Sequence, residues 1–186
     1  MNPKPGSKAT PTAANSGAGM PRTLTEFMAH ALVMEVEAAQ RYIELADAME
    51  MHNNKEVADL FRKMATIEGK HAEQIMREMG WRETPAPPGK RVWEGFEAPE
   101  TTPVDDVHYL MTPYHALELA LAAEIRAERF FARLVEATTV ETVRRAAREL
   151  RAEEEEHVAL IRAWMEKLEK PAQDWAHDPD PPRYLD

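Results

Sequence analysis

Six side chains that can bind a metal ion occur in this sequence as two copies of one pattern. Each copy has a single glutamate followed, after 33 or 30 positions, by a Glu-x-x-His motif. The six residues are Glu35, Glu68 and His71 in the first copy, and Glu124, Glu154 and His157 in the second. Residues three apart face the same way on an α-helix, so the Glu and His of one motif can bind one ion together.

The residues around this pattern predict that it is buried. In the first copy Met28, Glu35, Tyr42 and Met49 follow one another at steps of seven, which places the carboxylate in an apolar helical stripe. A buried carboxylate is costly unless a positive charge compensates it. Two divalent cations would balance four such carboxylates, so we interpret the pattern as a dinuclear metal site.

Carboxylate oxygen combined with imidazole nitrogen favours iron or manganese over metals that prefer thiolates. The expected roles are terminal imidazoles at His71 and His157, bridging carboxylates at Glu68 and Glu154, and terminal carboxylates at Glu35 and Glu124. A structural alternative exists, because a single Glu-x-x-His is common in glutamate-rich helices and the run 153–156 alone is typical of a solvated face. The repetition of the pattern in both halves favours the metal site.

The elements that position these residues are predicted to be four α-helices, because the body of the chain is rich in Ala, Glu, Leu, Met and Arg. We expect helices at about 24–52, 55–79 and 113–136, and a fourth from after Thr138 to about 170. Capping signals at Thr23, Asn53 and Thr138, and a proline at position 113, mark their starts.

Two connections between these helices are short and one is long. The short turns predict two antiparallel hairpins, and the proline-rich stretch 81–111 is long enough to run along a bundle. Two hairpins joined by one crossover are the topology of an all-α, ferritin-like four-helix bundle. We expect a flexible N-terminal tail over 1–21, the bundle over 22–170 and a proline-rich C-terminal tail over 171–186, with Phe96 among the residues that anchor the crossover.

The composition excludes several classes of function. The 186 residues include no cysteine, which rules out disulfides, thiolate zinc sites, iron–sulfur clusters and cysteine nucleophiles. A net charge of −10 argues against nucleic acid or an anionic membrane as the main partner. The first residues lack the apolar core of a signal peptide, and no long uncharged apolar segment occurs, so we expect a cytoplasmic protein.

The stretches MEVEAAQRY, IEGKH, AEIRAERFF and EEEEH, which carry the six residues, resemble the diiron domain of rubrerythrins within the ferritin-like superfamily. The resemblance covers about 22–170. It implies two iron ions, with manganese as the alternative, and reaction with hydrogen peroxide or dioxygen.

The sequence departs from the rubrerythrin pattern at specific positions. Rubrerythrins carry a four-cysteine rubredoxin module that delivers electrons, so this cysteine-free chain would need an external electron donor. They also carry an extra glutamate one turn after the ligand of the third helix, where this chain has Ala127 followed by Glu128. Gly69 stands where bacterioferritins have a haem-binding methionine, so we expect no haem there.

Three functions are compatible with these observations. The leading interpretation is an oxidoreductase that reduces peroxide or dioxygen, with Tyr42 as a catalytic candidate that hydrogen-bonds a ligand carboxylate; its other possible role is core packing. The alternatives are a ferroxidase or iron-handling protein, and a dinuclear metal-binding bundle without turnover. We expect a homo-oligomer, most simply a dimer.

Overall fold

The computed structural model describes residues 20–86, 92–93, 98–102 and 107–171. Within these ranges the chain forms four helices and no strand, which confirms the all-α class. The helices are α1 (Leu24–Met51), α2 (Lys55–Glu78), α3 (Pro113–Ala137) and α4 (Glu141–Met165). The predicted bounds differ by one residue at the ends of the first three helices, but α4 ends several residues earlier than expected.

The starts of the helices show which capping predictions were right. The Thr23 hydroxyl accepts a hydrogen bond in the first turn of α1, as predicted. Asn54, not Asn53, caps α2. Asn53 instead has a φ of 58° in the turn between α1 and α2, a left-handed conformation that asparagine tolerates well. The predicted cap of α4 at Thr138 is wrong, because Val140 is the residue that precedes the helix and no side chain caps it. The Thr138 hydroxyl instead accepts a hydrogen bond from the backbone N–H of Val140 within the connecting turn.

The helices pack as two antiparallel hairpins, α1 with α2 and α3 with α4, which face each other across the bundle. Two apolar clusters fill the interior. One contains Phe27 and Phe131, whose rings meet edge to face with centroids 6.3 Å apart. The other contains Tyr42 and Phe61, which stack at 6.0 Å. Along α1 the first cluster ends at Met34 and the second begins at Tyr42, so a polar layer lies between them.

The crossover between the hairpins lies against the bundle in the segments that are described. Trp93 is buried and contacts His30 and Phe130, with ring centroids 5.9 and 6.4 Å away. The predicted anchor Phe96, residues 1–19 of the N-terminal tail and residues 172–186 of the C-terminal tail lie outside the described residues. No described helix is both long and apolar enough to cross a bilayer.

Candidate metal centre

Four buried glutamates, one from each helix, meet in the polar layer between the two apolar clusters. They are Glu35 of α1, Glu68 of α2, Glu124 of α3 and Glu154 of α4. Each is at most 1% exposed, because each replaces an apolar residue in the inner stripe of its helix. In the run of four glutamates at 153–156, burial therefore singles out the second, while the last two remain exposed.

The two histidines lie one turn after the glutamates of α2 and α4. Nδ1 of His157 lies 3.3 Å from an oxygen of Glu124 and 3.3 Å from an oxygen of Glu154. Nδ1 of His71 lies 3.8 Å from an oxygen of Glu35. In each hairpin the histidine of the second helix therefore lies close to the glutamate of the first helix. The two copies of the sequence pattern thus form equivalent arrangements in the structure.

Potential ligand atoms group together in sets of three. In each of the following sets, atoms from all three side chains lie within 4.8 Å of one another: Glu68, His71 and His157; Glu124, Glu154 and His157; Glu35, Glu100 and Glu154; and Glu68, Glu100 and Glu124. All six residues singled out from the sequence belong to at least one set. The described residues contribute a seventh side chain, Glu100, to two of the sets.

The helical pattern of the sequence does not identify Glu100. It lies in the crossover and is only 1% exposed. Helical periodicity cannot show which residues of a non-helical segment point inward. The stretch 81–111 contains five other acidic residues, and the sequence alone does not distinguish the buried one from the rest. A weak signal was available, because a crossover that lies along an apolar bundle has to turn some of its side chains inward.

Burial and mutual repulsion favour the neutral forms of the carboxyl groups of Glu35, Glu68, Glu100 and Glu154. Burial is the main cause that raises the pKa values of Glu35, Glu68 and Glu154 well above their ordinary range, and among the neighbouring charges Glu100 contributes most to each. Burial, followed by the charge of Glu124, raises the pKa of Glu100 itself to about 8. These raised pKa values mean that, in the absence of metal, the ionised carboxylates have too little positive charge near them to compensate their burial.

The two imidazoles titrate in opposite directions. Burial, followed by the neighbouring His157, lowers the pKa of His71 to about 4. Burial alone would lower the pKa of His157 too, but its hydrogen bond to Glu124 and the nearby carboxylates raise it to about 9. One histidine is therefore neutral at pH 7 and ready to bind a metal, whereas the other must release a proton first.

Unsatisfied polar atoms indicate that the layer fits a metal. Within the described part of the chain, these buried atoms have no hydrogen-bond partner: both oxygens of Glu68 and Glu100, one oxygen each of Glu35, Glu124 and Glu154, and Nδ1 of His71. Buried polar groups are normally paired, so such a concentration needs an explanation. Oxygen-rich ligands with two imidazoles suit iron or manganese, and the residues present fit a dinuclear centre of these metals.

Tyr42 and Glu128 occupy positions that the sequence left open. Tyr42 is 1% exposed, and burial together with the charges of Glu124 and Glu68 raises the pKa of its phenol well above 10. Its hydroxyl makes no hydrogen bond to a described carboxylate, and Thr102 of the crossover is a polar neighbour. Glu128 turns away from the layer, because it accepts a hydrogen bond of 2.7 Å from Arg151.

The bundle and its carboxylate–histidine layer define a ferritin-like protein with side chains that could hold a metal. The family model of rubrerythrin matches residues 26–165, a stretch that includes all seven side chains of the layer. The chain belongs to the rubrerythrin family, a group of diiron-carboxylate proteins that typically bind iron.

A solved structure supports this assignment. An uncharacterized conserved protein from Magnetospirillum magnetotacticum MS-1, determined at 2.00 Å resolution, is 40% identical to this chain. The similarity covers 82% of this chain and 99% of that one, with a TM-score of 0.59. No curated protein matches the chain significantly.

Proposed function

We propose that the protein is a non-haem dinuclear iron oxidoreductase that reduces hydrogen peroxide or dioxygen. The observation that carries this proposal is the layer of buried carboxylates and partly buried imidazoles, whose ligand atoms lie within 4.8 Å of one another in overlapping sets. None of the described lysines or arginines forms an ion pair with these carboxylates. Two metal cations would supply the missing charge.

The proposed ligands are the six residues of the repeated pattern, with Glu68 and Glu154 as bridges and one histidine bound to each ion. When bound, the two metals supply electrons and Lewis acidity for cleavage of an O–O bond. The apolar clusters on either side keep bulk water away from the layer. Tyr42 stays protonated because its pKa is raised, so its hydroxyl can donate a hydrogen bond or a proton to a reduced oxygen atom.

The same proposal includes partners. These 186 residues hold no cysteine that could bind iron as in a rubredoxin, so we propose an external electron donor, with peroxide or dioxygen as the small oxidant. We also propose a homodimer, which is supported by Val36 and Ile43, two apolar side chains one heptad apart on α1 that are 46% and 44% exposed. A cytoplasmic location remains a prediction.

The test starts with metal analysis of the purified protein, followed by anaerobic loading with Fe(II). Stopped-flow absorbance then records oxidation of the loaded protein on mixing with peroxide and, separately, with dioxygen. We expect two ions per chain and rapid oxidation by at least one oxidant. Glu154→Gln should lose this reaction, whereas Glu156→Gln, an exposed neighbour in the same run, should retain it.

A chain that binds two Fe(II) ions but reacts with neither oxidant faster than free Fe(II) would rule out the oxidoreductase and leave a metal-binding bundle. The absence of cysteine, and so of rubredoxin-type iron ligands, among these 186 residues favours a second candidate, a ferroxidase. In that case oxidised iron should leave the site after each turnover, and added Fe(II) beyond two equivalents should be consumed without any reductant.

A further inference from the structure

Arginine side chains from two helices, one in each hairpin, bind the backbone of the crossover around Glu100. Arg126 of α3 donates hydrogen bonds of 2.9 Å to the carbonyl oxygen of Pro99 and 3.1 Å to that of Thr101. Arg41 of α1 donates one of 2.8 Å to the carbonyl oxygen of Thr102. Because these arginines bind the backbone on either side of position 100, the side chain of that residue is carried into the bundle.

Glu100 reaches all four helices at once. Its carboxylate lies within 4.8 Å of ligand atoms of Glu35 and Glu154, and also within 4.8 Å of ligand atoms of Glu68 and Glu124. It is 1% exposed, and neither of its oxygens has a hydrogen-bond partner among the described residues. A carboxylate that only anchored the crossover would be expected to pair with one of the arginines nearby. Arg126 instead binds backbone carbonyls, and Arg41 binds a backbone carbonyl and the carboxylate of Glu44.

We infer that Glu100 is a seventh ligand of the metal site, so that bound metal fastens the crossover across the bundle. This inference rests on the proposed dinuclear site but not on its redox activity. The family's additional glutamate is expected on the third helix, where this chain has the buried residue Ala127. Here the additional carboxylate, the fifth after those of the four helices, comes from a segment outside the helices.

Metal binding without turnover provides the first test. Co(II) is used as the probe under anaerobic conditions, because its absorption spectrum reports coordination and its affinity can be measured against a chelator. Glu100→Gln removes the charge but keeps the size of the side chain, and Glu83→Gln, an exposed position in the same crossover, is the matched control. We expect Glu100→Gln to bind at least one ion roughly tenfold or more weakly and to alter the spectrum, while Glu83→Gln behaves like the wild type.

Hydrogen exchange provides the second test. Addition of Co(II) should slow amide exchange in peptides that cover 98–102 in the wild type and in Glu83→Gln. The same addition should leave these peptides unprotected in Glu100→Gln, while peptides from α2 and α4 still gain protection. This pattern would separate a ligand from a residue that merely packs, because a packing residue would change the exchange of the apoprotein and not its response to metal.

Unchanged Co(II) affinity, spectrum and crossover protection in Glu100→Gln would overturn the inference. If that variant does not fold, Glu100→Asp keeps the charge and shortens the side chain by one methylene; an unchanged spectrum there would have the same consequence. A wild-type protein that binds two Co(II) ions but shows no reaction of its Fe(II) form would overturn the proposed function alone. A wild type that binds no Co(II) would overturn both.

Discussion

The imidazole rings of His71 and His157 stack with centroids 4.6 Å apart and planes inclined by 20°. They belong to different hairpins and are 86 positions apart in the chain, so the docking of one hairpin on the other brings them together. The contact is between a histidine whose pKa is lowered to about 4 and one whose pKa is raised to about 9. Because only His157 is protonated at neutral pH, the stacked rings do not place two positive charges in contact.

The stability of the apoprotein should fall as the pH rises from 6.5 to 9. The pKa of Glu100 is raised from 4.5 to about 8 and that of His157 from 6.5 to about 9, so the folded state binds more protons than the unfolded state in this range. His71, with its pKa lowered to about 4, acts in the opposite direction but only below pH 6.5. Melting temperatures measured in chelator across this range check the prediction, and a rise with pH would contradict it.

Bound metal should offset this fall in stability. Binding displaces protons from the layer, so the affinity for metal rises with pH, and a ligand bound only to the folded state stabilises it by RT ln(1 + [L]/Kd). The gap in melting temperature between Mn(II)-loaded protein and apoprotein should therefore widen from pH 6.5 to pH 8. A gap that is constant or narrows over this range would count against binding at these carboxylates.

Replacement of Glu68 by alanine should remove the proposed bridging ligand and reduce the bound metal from two ions per chain to at most one. The same change at Glu153, a half-buried glutamate outside all four ligand sets, should leave two ions bound. Elemental analysis after desalting gives both stoichiometries. Two ions and unchanged reactivity in Glu68→Ala would show that the bridging role is wrong.

Tyr42→Phe tests the proposed catalytic hydroxyl. The variant should fold and keep both metals, because the ring that stacks on Phe61 remains. Loss of one hydrogen bond from the Tyr42 hydroxyl would raise the activation free energy by about 1 kcal/mol, which slows oxidation of the Fe(II) form roughly fivefold. Tyr109→Phe, at a position that is 42% exposed, is the control. Equal stopped-flow rates in the wild type and Tyr42→Phe would leave core packing as the role of Tyr42.

Arg126→Gln should loosen the crossover without touching a proposed ligand. Loss of its hydrogen bonds to Pro99 and Thr101 leaves Glu100 less well positioned, and such supporting contacts are typically worth about 10–100-fold in metal affinity. Arg129→Gln, at an exposed position on the same helix, should have no such effect. Chelator competition measures both, and equal affinities in the two variants would show that the arginine does not position the site.

Light scattering tests the proposed dimer. We expect twice the chain mass at micromolar concentration, and we expect Val36→Lys combined with Ile43→Lys to shift the population towards monomer by placing charge on the exposed apolar stripe of α1. A monomeric wild type would remove the proposal. A mass near that of a 24-subunit cage would favour iron storage instead.

The sequence by itself determined the helices and six of the seven side chains of the layer. A helix repeats its faces every 3.6 residues, so a carboxylate such as Glu35 or Glu124 within an apolar stripe has to point inward wherever the helix packs. Capping residues were less certain: Asn53 and Asn54 are both good caps, and only the geometry of the turn selects between them.

Only the tertiary structure decided what the crossover contributes. Residues 98–102 have no periodicity that would orient their side chains, and Glu100 is carried inward because Arg41 and Arg126, from two different helices, bind the backbone beside it. The direction of Glu128 is likewise set by its pairing with Arg151 on another helix. Local sequence dictates orientation within a helix, whereas contacts between segments distant in the chain dictate it in a segment that makes no regular hydrogen bonds of its own.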